Sequence, residues 1–129
     1  MDINTFIRNY RGQYLCPRVV CADGFSISIQ AGSGHYCSPR VDELVANTQY
    51  THVELGFPSH FEKIEEILLD YCEDKDCPTG TVYGYVPVEV VQEVLDKHGG
   101  IKWVVYDETL IHVELAPLIA QDPGIIENL

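Results

Sequence analysis

The tetrapeptide HVEL occurs twice in this chain, at residues 52–55 and again at residues 112–115. In a β-strand the histidine and glutamate of each copy project from the same face, because side chains two positions apart share a face. If the two strands were neighbours, two imidazoles and two carboxylates would meet, a ligand set that suits zinc, iron or manganese. The candidate ligands are His52, Glu54, His112 and Glu114. We favour the alternative that two half-buried strands carry polar residues on their solvent faces, so we expect no metal and no cofactor.

A second candidate metal centre consists of Cys16, Cys21, His35 and Cys37. Three thiols and an imidazole can hold structural zinc, and a thiol beside an imidazole can also supply a nucleophile and its base. The spacing of Cys16 and Cys21 is wider than that of typical zinc-binding cysteines, and free cysteine is commonly just a buried apolar residue. The chain has five cysteines and no visible secretory signal, so we expect reduced thiols and a cytoplasmic protein. A metal-dependent enzyme that uses either set of ligands is an alternative.

The arginines form a third candidate site, for a small anionic ligand. All four lie in the first 40 residues, and guanidinium groups match the geometry of phosphate and carboxylate. With a tyrosine nearby they could hold a nucleotide, which would make the protein a sponge or sensor for such ligands. The candidate residues are Arg8, Arg11, Arg18, Tyr36 and Arg40. We favour the alternative that the arginines form ion pairs with the many acidic residues.

Charge is very unevenly distributed along the 129 residues, whose formal net charge is -12. The first 40 residues carry four arginines against Asp2 and Asp23, whereas residues 41–129 carry four lysines against eighteen acidic residues. A surface of this kind repels nucleic acid and anionic membranes and attracts basic partners. We therefore expect a basic protein as the partner, and neither direct nucleic-acid binding nor membrane association.

Residues 62–76, which we call the acidic segment, contain seven acidic residues and two lysines. The acidic residues are Glu62, Glu65, Glu66, Asp70, Glu73, Asp74 and Asp76. Ser59 with Glu62 has the form of a capping box and predicts a helix that begins at Ser59. The apolar side of this helix would consist of Phe61, Ile64, Ile67, Leu68 and Tyr71. The helix would align several carboxylates in one stripe, which suits a lysine- or arginine-rich groove; the alternative is an ordinary solvated helix face.

Local signals place the remaining elements. Asp2 predicts the N-cap of a first helix, Asp-Gly at 23–24 predicts the tight turn of a first hairpin, and a second hairpin is expected about Asp107-Glu108. In chain order the predicted elements are a helix over 3–10, strands over 14–21 and 25–31, a strand over 50–56, the helix from Ser59, a strand over 81–86, a helix from Pro87 up to Gly99, and strands over 101–106 and 109–115. The expected fold is a single α+β domain over residues 1–129, with a largely antiparallel sheet, two main helices and a surface-draped tail at 117–129.

Two stretches, VCADGFSISIQAGSGHYCSPR and TGTVYGYVPVEVVQEVLDKHGGI, resemble parts of small uncharacterised proteins encoded by bacteriophages and prophages. The resemblance implies a phage or mobile-element setting and no particular chemistry. Together with the charge it favours a non-enzymatic acidic protein that blocks a basic host protein, such as a nucleic-acid-handling defence factor. The alternatives are the anion sponge or sensor and the metal-dependent enzyme.

Overall fold

The computed structural model of this protein describes residues 1–114, which form three helices and six strands. The elements are α1 (Ile3–Tyr10), β1 (Arg18–Cys21), β2 (Ser26–Gln30), β3 (His52–Gly56), a 3-10 turn (Phe61–Lys63), α2 (Glu66–Leu69), β4 (Val82–Pro87), α3 (Val88–Lys97), β5 (Ile101–Tyr106) and β6 (Thr109–His112). The predicted tail at 117–129 and the last residue of the second HVEL lie outside the described residues.

The six strands form one antiparallel sheet in the order β4-β3-β2-β1-β5-β6, which confirms the predicted α+β class. Both predicted hairpins are present. Gly24 turns the first one with a φ of 92°, and Asp107 and Glu108 turn the second with φ angles of 47° and 65°. Two successive positive φ angles match the twist of the paired strands, which explains the tight connection between β5 and β6.

Helix α1 begins at its predicted N-cap, because the Thr5 backbone N–H donates to the Asp2 carboxylate at 2.8 Å. The helix is also fixed to the middle of the chain. The side-chain amide of Asn4 donates to the Tyr50 carbonyl at 2.9 Å, and the Tyr50 N–H donates to the Asn4 side-chain oxygen at 2.8 Å. This pair of hydrogen bonds fixes Tyr50, which follows the irregular stretch 41–49, to α1.

Helix α3 packs Val91, Val94 and Leu95 into the core and ends before Gly99, as predicted. A glycine is required at 99, where φ is 89° and a β-carbon would stand 2.7 Å from the Ala22 side chain. One buried cluster joins these residues to α1 and to alternate positions of the strands. Within residues 1–114 no helix has the length and apolarity that a membrane span requires.

The prediction of a helix that begins at Ser59 is wrong. The acidic segment instead contains the 3-10 turn at Phe61–Lys63 and the single turn of α2. The Ser59 hydroxyl does not cap a helix, because it accepts a hydrogen bond from the Ser26 N–H at 2.8 Å. Of the five residues on the predicted apolar side only Leu68 is fully buried, and Phe61 is 67% exposed. Without that burial nothing offsets the repulsion between carboxylates one helical turn apart.

Candidate functional site

The two HVEL copies do not form one site. Strands β3 and β6 are separated in the sheet by β2, β1 and β5, a distance of about 19 Å at the usual strand spacing. Glu54 instead lies 3.3 Å from the His35 imidazole and accepts a hydrogen bond from the Tyr36 N–H at 3.0 Å. The His112 ring accepts a hydrogen bond from the Glu114 N–H at 3.2 Å. The repeat therefore reflects two separate half-exposed strands.

The cysteines of the second candidate metal centre are buried and do not converge with His35. Burial raises the pKa of Cys16 to about 12 and that of Cys21 to about 11. Burial also raises the pKa of Cys37, whose thiol donates to the Gly32 carbonyl at 3.2 Å. Nucleophilic attack requires the thiolate, which these environments disfavour. Over residues 1–114 no three His, Cys, Asp or Glu side chains are grouped so that they could hold a metal ion.

The arginines are dispersed, and most of their hydrogen bonds within residues 1–114 go to backbone carbonyls. Arg11 donates to the Ala31 carbonyl and the Tyr50 hydroxyl, each at 3.1 Å, and also to the Asp42 carbonyl. Arg18 donates to the Ser26 hydroxyl at 2.9 Å and to the carbonyls of Ser26 and Phe57. In the described part of the chain no arginine forms an ion pair with a carboxylate, so the ion pairing that the sequence favoured is not observed there.

One cleft of about 510 Å³ lies between α1 and the 42–50 stretch, and two of the five candidate anion-binding residues line it. These are Arg8 and Arg11, and the cleft is also lined by Asp42 and Glu43. Hydrogen bonds from the Ser33 N–H and hydroxyl, both 2.8 Å, lower the pKa of Asp42 and favour its charged form. The cleft therefore presents cations and anions together.

The acidic segment is exposed and largely uncompensated. Six of its seven acidic residues are exposed, and none of these six forms an ion pair within the described residues. The exception is Glu65, which lies 4.0 Å from the Lys97 ammonium and 3.5 Å from the His98 ring. Residues 115–129 contain no lysine, arginine or histidine that could supply further cations.

A buried histidine that the sequence did not single out anchors the start of the acidic segment. His98 is 6% exposed and stacks on Phe25 with ring centroids 4.2 Å apart. One ring nitrogen lies 2.7 Å from the Asp23 carboxylate and the other 3.5 Å from that of Glu65. The hydrogen bond with His98 lowers the pKa of Asp23. The hydrogen bond with Asp23 ties the first hairpin to the end of α3, and the Glu65 carboxylate of the acidic segment lies beside the other ring nitrogen without a hydrogen bond to it.

A second feature missed from sequence is a pair of exposed tyrosines next to the end of the acidic segment. The rings of Tyr36 and Tyr85 stack with centroids 5.9 Å apart, and the Arg40 guanidinium lies 5.4 Å from the Tyr36 ring centroid. Tyr85 has a φ of 52°, and its N–H donates to the Tyr36 carbonyl at 3.0 Å. The two tyrosines are 49 positions apart in sequence, so no local pattern indicates their contact.

A scan against protein-family models finds no match for this chain, and searches of curated proteins and of solved structures find no similar protein either.

Proposed function

We propose that this protein is a non-enzymatic binding protein that occupies a basic surface of another protein through its acidic segment. The observation that carries the proposal is the set of six exposed carboxylates in residues 62–76 that have no ion pair within the described chain. Like charges placed this close destabilise a surface slightly unless a partner supplies the opposite charge. A lysine- or arginine-rich partner would relieve that repulsion on binding.

The acidic segment is held at both ends, which supports a role in recognition. At its start the Lys63 ammonium donates to the Asp23 carbonyl at 3.0 Å, next to the His98 cluster. At its end the Glu73 N–H donates to the Val82 carbonyl at 3.1 Å, and Cys72 forms an isolated bridge with Tyr83. A segment that is already ordered loses less conformational entropy on binding, so more of the electrostatic attraction contributes to affinity.

The phage resemblance supplies the biological setting of the proposal. A basic protein that handles nucleic acid presents a surface suited to a polyanion, and an acidic protein can compete for that surface. We propose that the partner is such a host protein, that its inhibition serves the phage, and that the encounter takes place in the cytoplasm. Electrostatic steering would then raise the association rate strongly at low salt.

The test compares two triple variants that change the net charge equally. The first, Glu62→Gln with Glu66→Gln and Asp70→Asn, neutralises exposed carboxylates of the acidic segment that accept no hydrogen bond within residues 1–114. The second, Glu89→Gln with Asp107→Asn and Glu108→Gln, neutralises three exposed acidic residues outside it. A partner captured from bacterial lysate and identified by mass spectrometry is purified, and association rates are measured at two salt concentrations.

We expect the first variant to lower the association rate about tenfold at low salt and the second to lower it much less. The difference should shrink at high salt, because screening shortens the reach of exposed charges to about 8 Å at physiological ionic strength. Equal rates for the two variants, or wild-type binding that is indifferent to salt, would contradict the proposal.

A further inference from the structure

We infer that the exposed tyrosine pair, Tyr36 and Tyr85, holds an arginine side chain of the basic partner, with Glu73 as the counter-charge. The inference rests on the proposed function and names the chemical group that the partner inserts. Aromatic rings attract cations through their faces, and the planar guanidinium stacks on them better than the ammonium of lysine does. An arginine is therefore the side chain that combines a match to the tyrosines with a match to the carboxylate.

The tyrosine pair is exposed to solvent, and one of its rings already contacts a guanidinium group. Tyr36 is 42% exposed and Tyr85 is 46% exposed, although large aromatic residues are usually buried to a greater degree. The protein's own Arg40 lies over the Tyr36 ring at 5.4 Å from its centroid, while its Nε donates to the Ser33 carbonyl at 3.0 Å. The geometry thus accepts a guanidinium on one tyrosine and leaves much of the second tyrosine exposed.

Gly84 brings the carboxylate and the rings together. A β-carbon on Gly84 would stand 2.9 Å from the Glu73 carboxylate oxygen and 3.2 Å from the Tyr36 β-carbon. The carboxylate and the tyrosine can approach the same point of β4 only because residue 84 has no side chain. Glu73 belongs to the acidic segment, so the tyrosine pair is continuous with the surface that the proposed function uses.

The backbone of Tyr85 indicates that this arrangement is enforced. A φ of 52° is unfavourable for a tyrosine, and such backbone conformations persist where the surrounding structure holds them, often at binding sites. Here the Tyr85 N–H donates a hydrogen bond to the Tyr36 carbonyl. The pairing of β3 with β4 also shifts its register next to this residue. The shift places Tyr85 outside the regular ladder, with its ring against Tyr36.

The same charges disfavour the alternative ligand, a nucleotide stacked on the tyrosines beside Arg40. The Glu54 carboxylate accepts a hydrogen bond from the Tyr36 N–H at 3.0 Å, and the Glu73 carboxylate lies beside Gly84, the residue before Tyr85. The repulsion of a phosphate group by these two carboxylates exceeds its attraction to the single arginine. The charges around the tyrosine pair therefore favour a cationic ligand, and nucleotides serve as competitors that test this preference.

The experiment uses two synthetic peptides of equal length and charge, one with arginines and one with lysines at the same positions. Binding is measured by fluorescence anisotropy at two salt concentrations for the wild type and for Tyr85→Leu, Tyr85→Phe and Tyr14→Leu. Phenylalanine keeps the aromatic face and leucine removes it, while Tyr14 is a tyrosine outside the pair that is 69% exposed. Circular dichroism and melting temperature show whether each variant is folded.

We expect the wild type to bind the arginine peptide about two- to fivefold more tightly than the lysine peptide, the size of an exposed cation–π contact. Tyr85→Leu should abolish this preference and retain the salt dependence, whereas Tyr85→Phe and Tyr14→Leu should keep both. Equal wild-type affinity for the two peptides, or an unchanged preference in Tyr85→Leu, overturns the inference and leaves the proposed function standing. Displacement of the arginine peptide from the tyrosines by a nucleotide also overturns it. Absence of salt-dependent binding of either peptide overturns both proposals.

Discussion

The arginine-bearing first 40 residues and the acidic segment use charge in opposite ways. Arg11 and Arg18 point their donors at backbone carbonyls of their own chain and hold loops and strands together. The acidic segment instead presents six carboxylates to solvent without an ion pair among residues 1–114. Charge in the first region is part of the fold, whereas charge in the second is available for a partner. A count of charged residues cannot distinguish these two uses, because it does not register where the donors and acceptors point.

The largest expected effect is the reactivity of one exposed cysteine. Cys77 directly follows the acidic segment and is exposed, whereas Cys16, Cys21 and Cys37 of the first region and Cys72 of the acidic segment are buried. With pKa values of about 12 and about 11, Cys16 and Cys21 have little thiolate at pH 8, on the order of one part in a thousand or less. We expect a disulfide reagent at pH 8 to modify one thiol per chain rapidly and all five only after denaturation. The Cys77→Ser variant should lose the rapid phase, and rapid modification of any of the four buried thiols would show that its surroundings are more open than the structure indicates.

The next effect is on stability, through Arg11. The Arg11→Met variant should lower the free energy of unfolding by about 2 kcal/mol, because the carbonyls of Ala31 and Asp42 and the Tyr50 hydroxyl each lose a charged donor. The matched control is Arg8→Met, since Arg8 is exposed and, within residues 1–114, donates only a weak hydrogen bond to Thr5 at 3.3 Å. Its effect should stay within about 0.5 kcal/mol. Urea denaturation measures the free energy of unfolding of both variants. Equal losses for Arg11→Met and Arg8→Met would show that the hydrogen bonds of Arg11 do not stabilise the fold.

The pH dependence of stability tests the contact between the two regions at Asp23. Its pKa is lowered by the hydrogen bond with His98, so its folded-state pKa lies below the unfolded value. The ionised carboxylate therefore stabilises the fold at pH values above the pKa that Asp23 has in the unfolded state. This contribution disappears as the pH falls through the pKa that Asp23 has in the folded state. We expect wild type and Asp23→Asn to differ most in unfolding free energy near neutral pH and to converge only once the pH has fallen below the folded-state pKa of Asp23, which lies under the ordinary aspartate value of about 4. A difference that persists at lower pH would show that Asp23 acts through something other than its ionised form.

The smallest effect is expected from removing charge in the acidic segment. The variant with Glu62→Gln, Glu66→Gln and Asp70→Asn should change the free energy of unfolding by less than about 0.5 kcal/mol, with the direction towards higher stability. The reason is that the three carboxylates repel one another and form no ion pair within the described residues. Thermal denaturation in low salt is the measurement. A loss of more than about 1 kcal/mol would mean that these carboxylates support the fold as the arginines do.

Local chemistry in the sequence was sufficient to predict several elements. Asp2 and the apolar positions of residues 3–10 predicted α1 with its cap, and the turn residues predicted both hairpins. The apolar spacing and the glycine stop predicted α3, although Pro87 is its N-cap and not its first helical residue. Capping, turns and helical spacing act over a few residues, so they can be read from neighbouring positions. The excess of acidic residues after residue 40 was equally evident from the sequence.

Tertiary structure decided what depends on residues far apart in the chain. Ser59 carries a capping signal, but its hydroxyl is taken by Ser26, 33 positions away, and the predicted helix does not form. The two HVEL strands share a local pattern, but their places in the sheet follow from the pairing of all six strands. The contacts of His98 with Asp23, and of Tyr36 with Tyr85, are set by the same pairing. The physical reason is that the burial and hydrogen bonding of distant groups outweigh local preferences of a few tenths of a kcal/mol per residue.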